Sequence, residues 1–401
     1  MTDCPDASDS GRARVAVPAS PPAACNLLLV SASPRWTRAV REAAADIGGG
    51  VSSCDARDAV IRLAIPAPRY SHLLLHPGSA GGLLNELVNL TVGERESNTE
   101  MLLLGTQGQL PPRIGVIRSA DRQAVRQALV PHPARASAAD ENPMRVTELR
   151  EALAGAMIET RYQPIVRLAD RQPVALEALA RLNHPTRGTL PPDEFVPQIE
   201  DAGLAAQLTD LVAERALTDM AGPLHCAQAL GITLNFPLGV LLVPDALHRL
   251  DARRRAAGVA AERVIIELTE SRPVEDLVAL GSVLEKLRSG GYRISIDDVS
   301  PAVPRVAELL KLPFTSLKLD KAVVWHLPRA AALQDFVARI MDLARERHLS
   351  VVAEGVEDVA TWRRMEALGV DHAQGFLVAR PLPAAAVPIW LEAWRDQPEF
   401  G

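Results

Sequence analysis

The sequence has few cysteines, and they lie far apart. Cys4, Cys25, Cys54 and Cys226 are the four in 401 residues, and no two of them have CxxC spacing. This pattern argues against a disulfide framework and a cysteine-bound zinc site, because both need cysteines at defined spacings. It is expected of reduced thiols, so we expect a cytoplasmic protein.

Long apolar runs and an excess of positive charge are also missing. No apolar stretch approaches the roughly 20 residues of a transmembrane helix, and the first residues lack the basic start and apolar core of a signal peptide. The net charge is −6, and no basic arm or zinc-finger pattern is present. These features argue against a membrane or DNA as a partner.

The chain is predicted to have four parts. Residues 1–24, rich in Ser, Pro, Ala and Asp, are expected to be a disordered tail. Strand and helix patterns alternate over residues 25–130, which predicts a small doubly wound α/β domain. Residues 131–145 are rich in Pro, Ala and charge, as is typical of a semi-flexible linker. Residues 146–401 then form a second, larger α/β domain.

Short apolar runs in the second domain are followed by polar residues at one end. Seven such runs occur, at residues 174–177 (VALE), 232–235 (ITLN), 264–267 (VIIE), 294–298 (ISIDD), 316–320 (SLKLD), 351–354 (VVAE) and 373–375 (AQG). Strands buried on both faces have this apolar character, and helices between them make a sheet parallel.

The spacing of these runs favours a parallel (β/α)₈ barrel. Helical patterns fill the gaps at residues 195–212, 274–287 and 332–348, and the block is close to the roughly 250 residues of such barrels. The polar residues then gather at one mouth, where several carboxylates need a cation between them, such as a pair of divalent ions. An acidic residue after an apolar run is also typical of a helix N-cap, and that interpretation stays open for one or two of the seven.

At these residues the sequence resembles the EAL-domain family, the phosphodiesterases that linearise cyclic di-GMP. The resemblance runs from about Arg161 to Pro383, beginning with RYQPIVRLADRQPVALEALARLNHPTRG, in which Glu177, Ala178 and Leu179 are the motif that names the family. Further matching segments are FVPQIEDAGL, LNF, IELTES, SIDD, LKLDK, VVAEGVE and QGFLVARPLP, in the family's order. The resemblance implies a barrel of the EAL type.

The resemblance also implies a role for each matching residue. It makes Glu177, Asn235, Glu267 and Asp297 ligands of one metal ion, and Asp297, Asp298 and Glu354 ligands of a second. Lys318 would contact the attacking water and a phosphate oxygen, which makes Lys318, Glu354 and Glu177 the catalytic set. The substrate-binding residues would be Gln163, Leu179, Arg181 and Gln374, supported by Glu270 and Glu357. The implied cofactors are two Mg²⁺ or Mn²⁺ ions, and the implied partners are cyclic di-GMP and a second copy of the chain.

The segment after Asp298 departs from the family pattern. The family has a Phe-Gly-Thr-Gly sequence there, whereas this chain has Val299, Ser300, Pro301 and Ala302. Positive φ is costly without glycine, so this loop must follow another path. Two interpretations therefore remain: an active phosphodiesterase with a rebuilt loop, or an inert domain that binds cyclic di-GMP or a protein.

The first α/β domain loosely resembles a response-regulator receiver domain but lacks its chemistry. At the positions of the receiver's acidic pair, phosphorylated aspartate and lysine, this chain has residues 31–33 (SAS), His76 and residues 118–119 (RS). Without the carboxylates it can form neither a Mg²⁺ site nor an aspartyl phosphate. We expect a docking or dimerisation module, which receives a signal other than phosphorylation or binds a protein partner.

Overall fold

The computed structural model describes residues 26–47, 49–64, 70–80, 83–84, 87, 91, 100–105, 114–129, 144–227, 229–243, 245–269, 277–303 and 305–396. The expected tail (1–24), most of the expected linker (131–143) and Glu270 lie outside these residues. The sequence pattern also predicts a helix over residues 83–92, of which positions 83, 84, 87 and 91 are described.

The first domain is a five-stranded parallel sheet. Its elements are β1 (Asn26–Val30), α1 (Pro34–Asp46), β2 (Gly50–Ser53), α2 (Ala56–Ala64), β3 (His72–Leu75), α3 (Pro77–Ala80), β4 (Glu100–Leu104), β5 (Ile114–Ile117) and α4 (Arg122–Leu129). The strand order is β2-β1-β3-β4-β5, with every pairing parallel. This is one of the common orders of doubly wound sheets.

Alternate residues of the strands face two different helical layers. Leu27 and Leu29 pack in a cluster with α1 and α4, whereas Leu28 and Val30 pack on the other face with α2. Because successive side chains of a strand point to opposite faces, the all-apolar sequence of β1 indicates a strand covered on both sides. The described strands and helices of the first domain therefore alternate as the sequence pattern predicts. The relationship to receiver domains stays a prediction.

The second domain contains an eight-stranded barrel surrounded by helices. Its elements are α5 (Val146–Ala154), β6 (Ile158–Arg167), β7 (Pro173–His184), β8 (Gly188–Leu190), α6 (Pro192–Asp201), α7 (Ala205–Ala221), β9 (Gly231–Pro237), α8 (Leu238–Leu241), α9 (Ala246–Ala256), β10 (Val264–Thr269), α10 (Leu277–Ser289), β11 (Arg293–Val299), α11 (Val306–Leu309), β12 (Ser316–Leu319), α12 (Lys321–His326), α13 (Ala331–Arg347), β13 (Ser350–Ala353), α14 (Val359–Ala367), β14 (His372–Ala373), β15 (Leu382–Pro383) and α15 (Val387–Asp396). Short 3₁₀ helices occur at His225–Ala227, Ala261–Arg263, Leu327–Arg329 and Ala384–Ala386.

The barrel is not parallel throughout, which corrects the sequence-based expectation. Strands β7, β9, β10, β11, β12, β13 and β14 are parallel neighbours in that order. Strand β6 closes the barrel and is antiparallel to both β7 and β14. The five residues between β6 and β7 are too few for the crossover that parallel neighbours need, so the two strands form a hairpin.

Two further boundaries differ from those predicted. The helical pattern over residues 195–212 is divided between α6 and α7, with Gly203 at φ +70° in the break. Strand β7 continues seven residues beyond Glu177 to His184, because it pairs with β6 as far as Leu182 and with β8 from Leu182 to His184. Glu177 is thus inside a strand rather than at its end.

Alternation along the barrel strands separates an apolar layer from a polar one. Ile165, Ala175, Ile265 and Val352 form a small interior cluster. Each lies two positions from a polar residue on the same strand face: Gln163, Glu177, Glu267 and Glu354 respectively. The period of two therefore places the apolar cluster directly under the polar groups at the mouth.

The described helices include none that combines the length and apolar character required to span a bilayer.

Candidate active site at the barrel mouth

The hairpin of β6 and β7 supplies four of the expected residues. Glu177, Leu179 and Arg181 alternate along β7 and line one cleft. Gln163 on β6 lines the same cleft and is the strand partner of Glu177. Two of the residues expected to bind substrate, Leu179 and Arg181, therefore share a strand face with Glu177, and a third, Gln163, is opposite Glu177.

Strands β9 and β10 place Asn235 beside Glu267. The two residues are register partners, and the Nδ2 of Asn235 donates a hydrogen bond of 3.0 Å to Oε1 of Glu177. The Glu267 side chain is fully buried. An amide and two carboxylates from three strands thus meet in a small space.

Strand β11 contains a bulge at its two aspartates. Ile296 pairs with Leu317 and Val299 with Leu319, so β11 carries one extra residue relative to β12. Asp298, within the bulge, has φ +51°, which is uncommon for a non-glycine residue. Bulges of this kind redirect side chains next to active sites. Asp297 consequently points toward Lys318, while Asp298 is more exposed.

Lys318 on β12 is at the centre of the carboxylates. Its Nζ lies 2.7 Å from Glu267 Oε1, 2.5 Å from Glu354 Oε1, 3.2 Å from Asp297 Oδ1 and 3.3 Å from Glu177 Oε2. Its side chain is 2% exposed. A buried lysine shared by four carboxylates cannot neutralise them all, so the site has an excess of negative charge.

The pKa shifts of the carboxyl groups around Lys318 reflect this excess of negative charge. Burial raises the pKa of Glu354 to about 8 and that of Asp298 to about 6, and neighbouring carboxylates add to the shift. Burial also raises the pKa of Glu267 and of Asp297. A cation close to these groups would favour their ionised forms.

Two residues at the centre remain charged. Burial opposes ionisation of Glu177, but Lys318 and the amide donors of Gln374 and Asn235 hold its pKa below the ordinary value. Burial would likewise lower the pKa of Lys318, yet the surrounding carboxylates hold it well above the ordinary value. A Glu177–Lys318 ion pair therefore anchors the site.

The donor set suits hard divalent cations. Asp297, Asp298 and Glu354 offer carboxylate oxygens that all lie within 4.8 Å of one another. Among the described residues, the buried Oε2 of Glu267 has no hydrogen-bond partner, although burial of an unsatisfied carboxylate oxygen is costly. Oxygen donors without thiolate or imidazole favour Mg²⁺ or Mn²⁺ over zinc.

The two glutamines connect the mouth to the closing strands. Gln374 donates to Oε2 of Glu177 and, over 3.2 Å, to Oε1 of Gln163. Gln163 in turn donates to the carbonyl of Ala379 at 3.1 Å. Glu357 lines the same cleft. Of the expected site residues, Glu270 alone lies outside the described part of the chain.

The loop after Asp298 avoids positive φ at its substituted glycine positions. Neither Ser300 nor Ala302 has positive φ, whereas Arg305, farther along, has φ +55°. The Val303 amide donates to the carbonyl of Ser300, closing a short turn. The loop thus takes a path that does not need the family's glycines, as expected.

One of the seven polar strand ends is a helix cap. Asp320 is the N-cap of α12, and its side chain accepts a hydrogen bond from the Ala322 amide. This is the alternative left open for an acidic residue after an apolar run.

The cleft also contains residues that sequence reasoning did not select. Asp193, Lys321, Trp325 and Phe376 line it together with Glu354. Its volume is about 320 Å³. Lys321 is the last residue of the LKLDK segment and Trp325 lies four residues beyond it, so proximity to that motif is the signal that could have identified them.

Comparisons with known proteins agree with this geometry. The family model described as the EAL domain matches residues 146–381. The cyclic di-GMP phosphodiesterase NbdA of Pseudomonas aeruginosa is 37% identical over 257 residues, which are 62% of this chain and 32% of NbdA. The bifunctional diguanylate cyclase/cyclic di-GMP phosphodiesterase MucR of the same organism is 33% identical over 250 residues, 61% of this chain and 36% of MucR. The chain spans about a third of the length of these relatives.

Solved structures give the same result for the fold. The PaMucR phosphodiesterase in complex with c-di-GMP has a TM-score of 0.57 and 30% identity, over 60% of this chain and 98% of that one. The manganese/cy-diGMP complex of Klebsiella pneumoniae BlrP1 has a TM-score of 0.50 and 28% identity, over 58% of this chain and 57% of that one.

Proposed function

Because this chain belongs to the EAL-domain family, we propose that it hydrolyses cyclic di-GMP to linear pGpG with the help of two Mg²⁺ or Mn²⁺ ions. The observation that carries the proposal is the arrangement around Lys318, whose Nζ is within 3.3 Å of four carboxylates. Two of these carboxylates, Glu177 and Glu354, line an open cleft. A domain that only bound protein would have no need to bury this much charge.

The proposed metal ligands are those that the resemblance to the family implies. Glu177, Asn235, Glu267 and Asp297 would hold one ion, and Asp297, Asp298 and Glu354 the other. Such a pair of ions acidifies water and neutralises charge on the phosphoryl oxygens. The oxygen of Glu267 that has no hydrogen-bond partner within the described part of the chain supports the proposal, as do the raised pKa values of Asp298 and Glu354. A nearby cation would stabilise the ionised form of each of these groups.

The chain's own groups have separate tasks in this reaction. The oxygen of water attacks phosphorus, the bond from phosphorus to O3′ breaks, and the released 3′ oxygen takes up a proton. Lys318 orients the water and a phosphate oxygen through its Nζ. Glu354 is well placed to take the proton of the water, because it lines the cleft whereas Glu267 is sealed from it. Gln163, Leu179, Arg181 and Gln374 contact the substrate along the cleft, with Glu357 and Glu270 supporting them.

The test is conversion of cyclic di-GMP by the purified full chain with Mg²⁺ or Mn²⁺, followed by chromatography for pGpG. We expect metal-dependent product that vanishes in Glu177→Ala. The control Leu368→Ala, at an exposed residue that does not line the cleft, should retain it. Absence of product together with retained nucleotide binding would instead establish a cyclic di-GMP effector. Absence of both product and nucleotide binding would indicate that the protein acts through contacts on its surface instead.

We also propose that the first domain is a receiver-like module for docking or dimerisation. Its sheet order supports the receiver-like fold, and the positions that would carry receiver carboxylates are Ser31 and His76 instead. The amide of Ala32, next to Ser31, donates a hydrogen bond of 2.9 Å to Oγ of Ser79. Light scattering of the full chain checks this proposal: we expect a dimer, unchanged by acetyl phosphate.

A further inference from the structure

One tryptophan of this chain is unlike the other four. Trp36, Trp362, Trp390 and Trp394 are at most 7% exposed, each packed in a core cluster. Trp325 is 47% exposed. Exposure of so large an apolar side chain costs free energy that burial would recover, so its position needs an explanation.

The exposed ring is nevertheless held in place. The Nε1 of Trp325 donates a hydrogen bond of 2.8 Å to the carbonyl of Gly355. The Nζ of Lys321, one turn earlier on α12, lies 6.0 Å from the ring centroid. Gly355 has φ +64°, and a Cβ there would come within 2.9 Å of the indole nitrogen. The indole is therefore packed against the backbone on one side and open on another.

The open ring lies at the rim of the candidate active site. Trp325 and Lys321 line the same cleft as Glu354, Gln374 and Arg181. Gly355, which accepts the indole hydrogen bond, directly follows Glu354 in the chain. A ligand whose phosphate lies beside Glu354 in this cleft would thus have its attached groups next to Trp325.

We propose that Trp325 is a stacking platform for one guanine base of the dinucleotide, with Lys321 beside it as a cationic contact. The proposal rests on the proposed hydrolysis of cyclic di-GMP. Aromatic side chains bind purine bases through their faces, and stacking contributes enough to change affinity by about 5- to 150-fold. A ring already oriented by a hydrogen bond loses little conformational entropy on binding.

A binding experiment in EDTA tests the platform without turnover. Cyclic di-GMP is titrated into wild type, Trp325→Ala, Trp325→Phe and the control Leu368→Ala by calorimetry. We expect Kd to rise at least about fivefold in Trp325→Ala, and to change less than about threefold in Trp325→Phe, which keeps a ring face, and in the control. Equal Kd in wild type and Trp325→Ala overturns the proposal.

A kinetic experiment separates stacking from a merely structural role. Each protein is assayed with cyclic di-GMP and with bis(p-nitrophenyl) phosphate, a phosphodiester without bases. We expect Trp325→Ala to raise KM for cyclic di-GMP at least about fivefold and to leave hydrolysis of the second substrate near that of wild type. Equal losses on both substrates would show that Trp325 only supports the backbone at Gly355, and would overturn the proposal.

The two proposals fail in different ways. Wild type that binds cyclic di-GMP without producing pGpG refutes the proposed hydrolysis, and the calorimetric comparison still decides the role of Trp325. Wild type that produces pGpG with unchanged KM in Trp325→Ala refutes the stacking proposal alone. Wild type that neither binds nor converts cyclic di-GMP refutes both.

Discussion

We expect the charge imbalance at the barrel mouth to make the stability of the protein depend on pH and on divalent ions. This dependence can be measured through the titration of Glu354. Replacing Glu354 with Gln keeps the shape of the side chain and removes the titrating group. Burial raises the pKa of Glu354 from 4.5 to about 8. Between these values the unfolded chain loses the proton and the metal-free folded chain keeps it, so stability falls as pH rises.

The size of the effect follows from the shift. Each pH unit in that window contributes about 1.4 kcal/mol, so Glu354 destabilises the metal-free protein by about 5 kcal/mol above pH 8 relative to pH 4.5 and below. Between pH 6 and pH 8 the difference is about 2.7 kcal/mol, or roughly 5–10 °C in Tm for a domain of this size. A bound divalent ion removes this penalty because it stabilises the ionised carboxylate.

The assay is thermal melting of wild type and Glu354→Gln at pH 6, 7 and 8, in EDTA and in Mg²⁺. In EDTA we expect the Tm of wild type to fall with pH more steeply than that of Glu354→Gln. In wild type the increase in Tm caused by Mg²⁺ should grow with pH. In Glu354→Gln this increase should be smaller and should depend less on pH. Parallel pH curves of the two proteins in EDTA would refute the reasoning, since Glu354 would then not titrate in this window.

Three further predictions concern the loop after Asp298, the close backbone contact of Gly375 and the N-cap of α12. Replacing residues 299–302 with Phe-Gly-Thr-Gly should raise the turnover of cyclic di-GMP if the loop limits catalysis, whereas unchanged kcat would show that it does not. Gly375→Ala should destabilise the protein by about 1–3 kcal/mol and lower activity, because a Cβ there would come within 2.3 Å of the Val356 backbone; an unchanged urea midpoint would contradict this close contact. Asp320→Ala should cost about 1 kcal/mol in urea unfolding through loss of the α12 cap, whereas Asp320→Asn should retain most of it.

Local patterns in the sequence were enough to locate most strands and the chemistry of the mouth. An apolar run followed by a polar residue gave the positions of β9, β10, β12 and β13, because burial on both faces requires apolar side chains along a strand. The residue types alone indicated hard cations. The doubly wound arrangement of the first domain was visible in the same way, from its alternation of strand and helix patterns.

Tertiary structure alone decided how these parts meet. The antiparallel direction of β6 depends on pairing with β7 and β14, which no local periodicity encodes. The bulge that separates Asp297 from Asp298 is a mismatch in register between two strands. The four carboxylates around Lys318 come from four other strands or their ends, and Trp325 reaches the cleft because α12 packs beside Gly355. Periodicity is a property of neighbouring residues, whereas strand direction, register and the surroundings of a charge are set by contacts between distant ones.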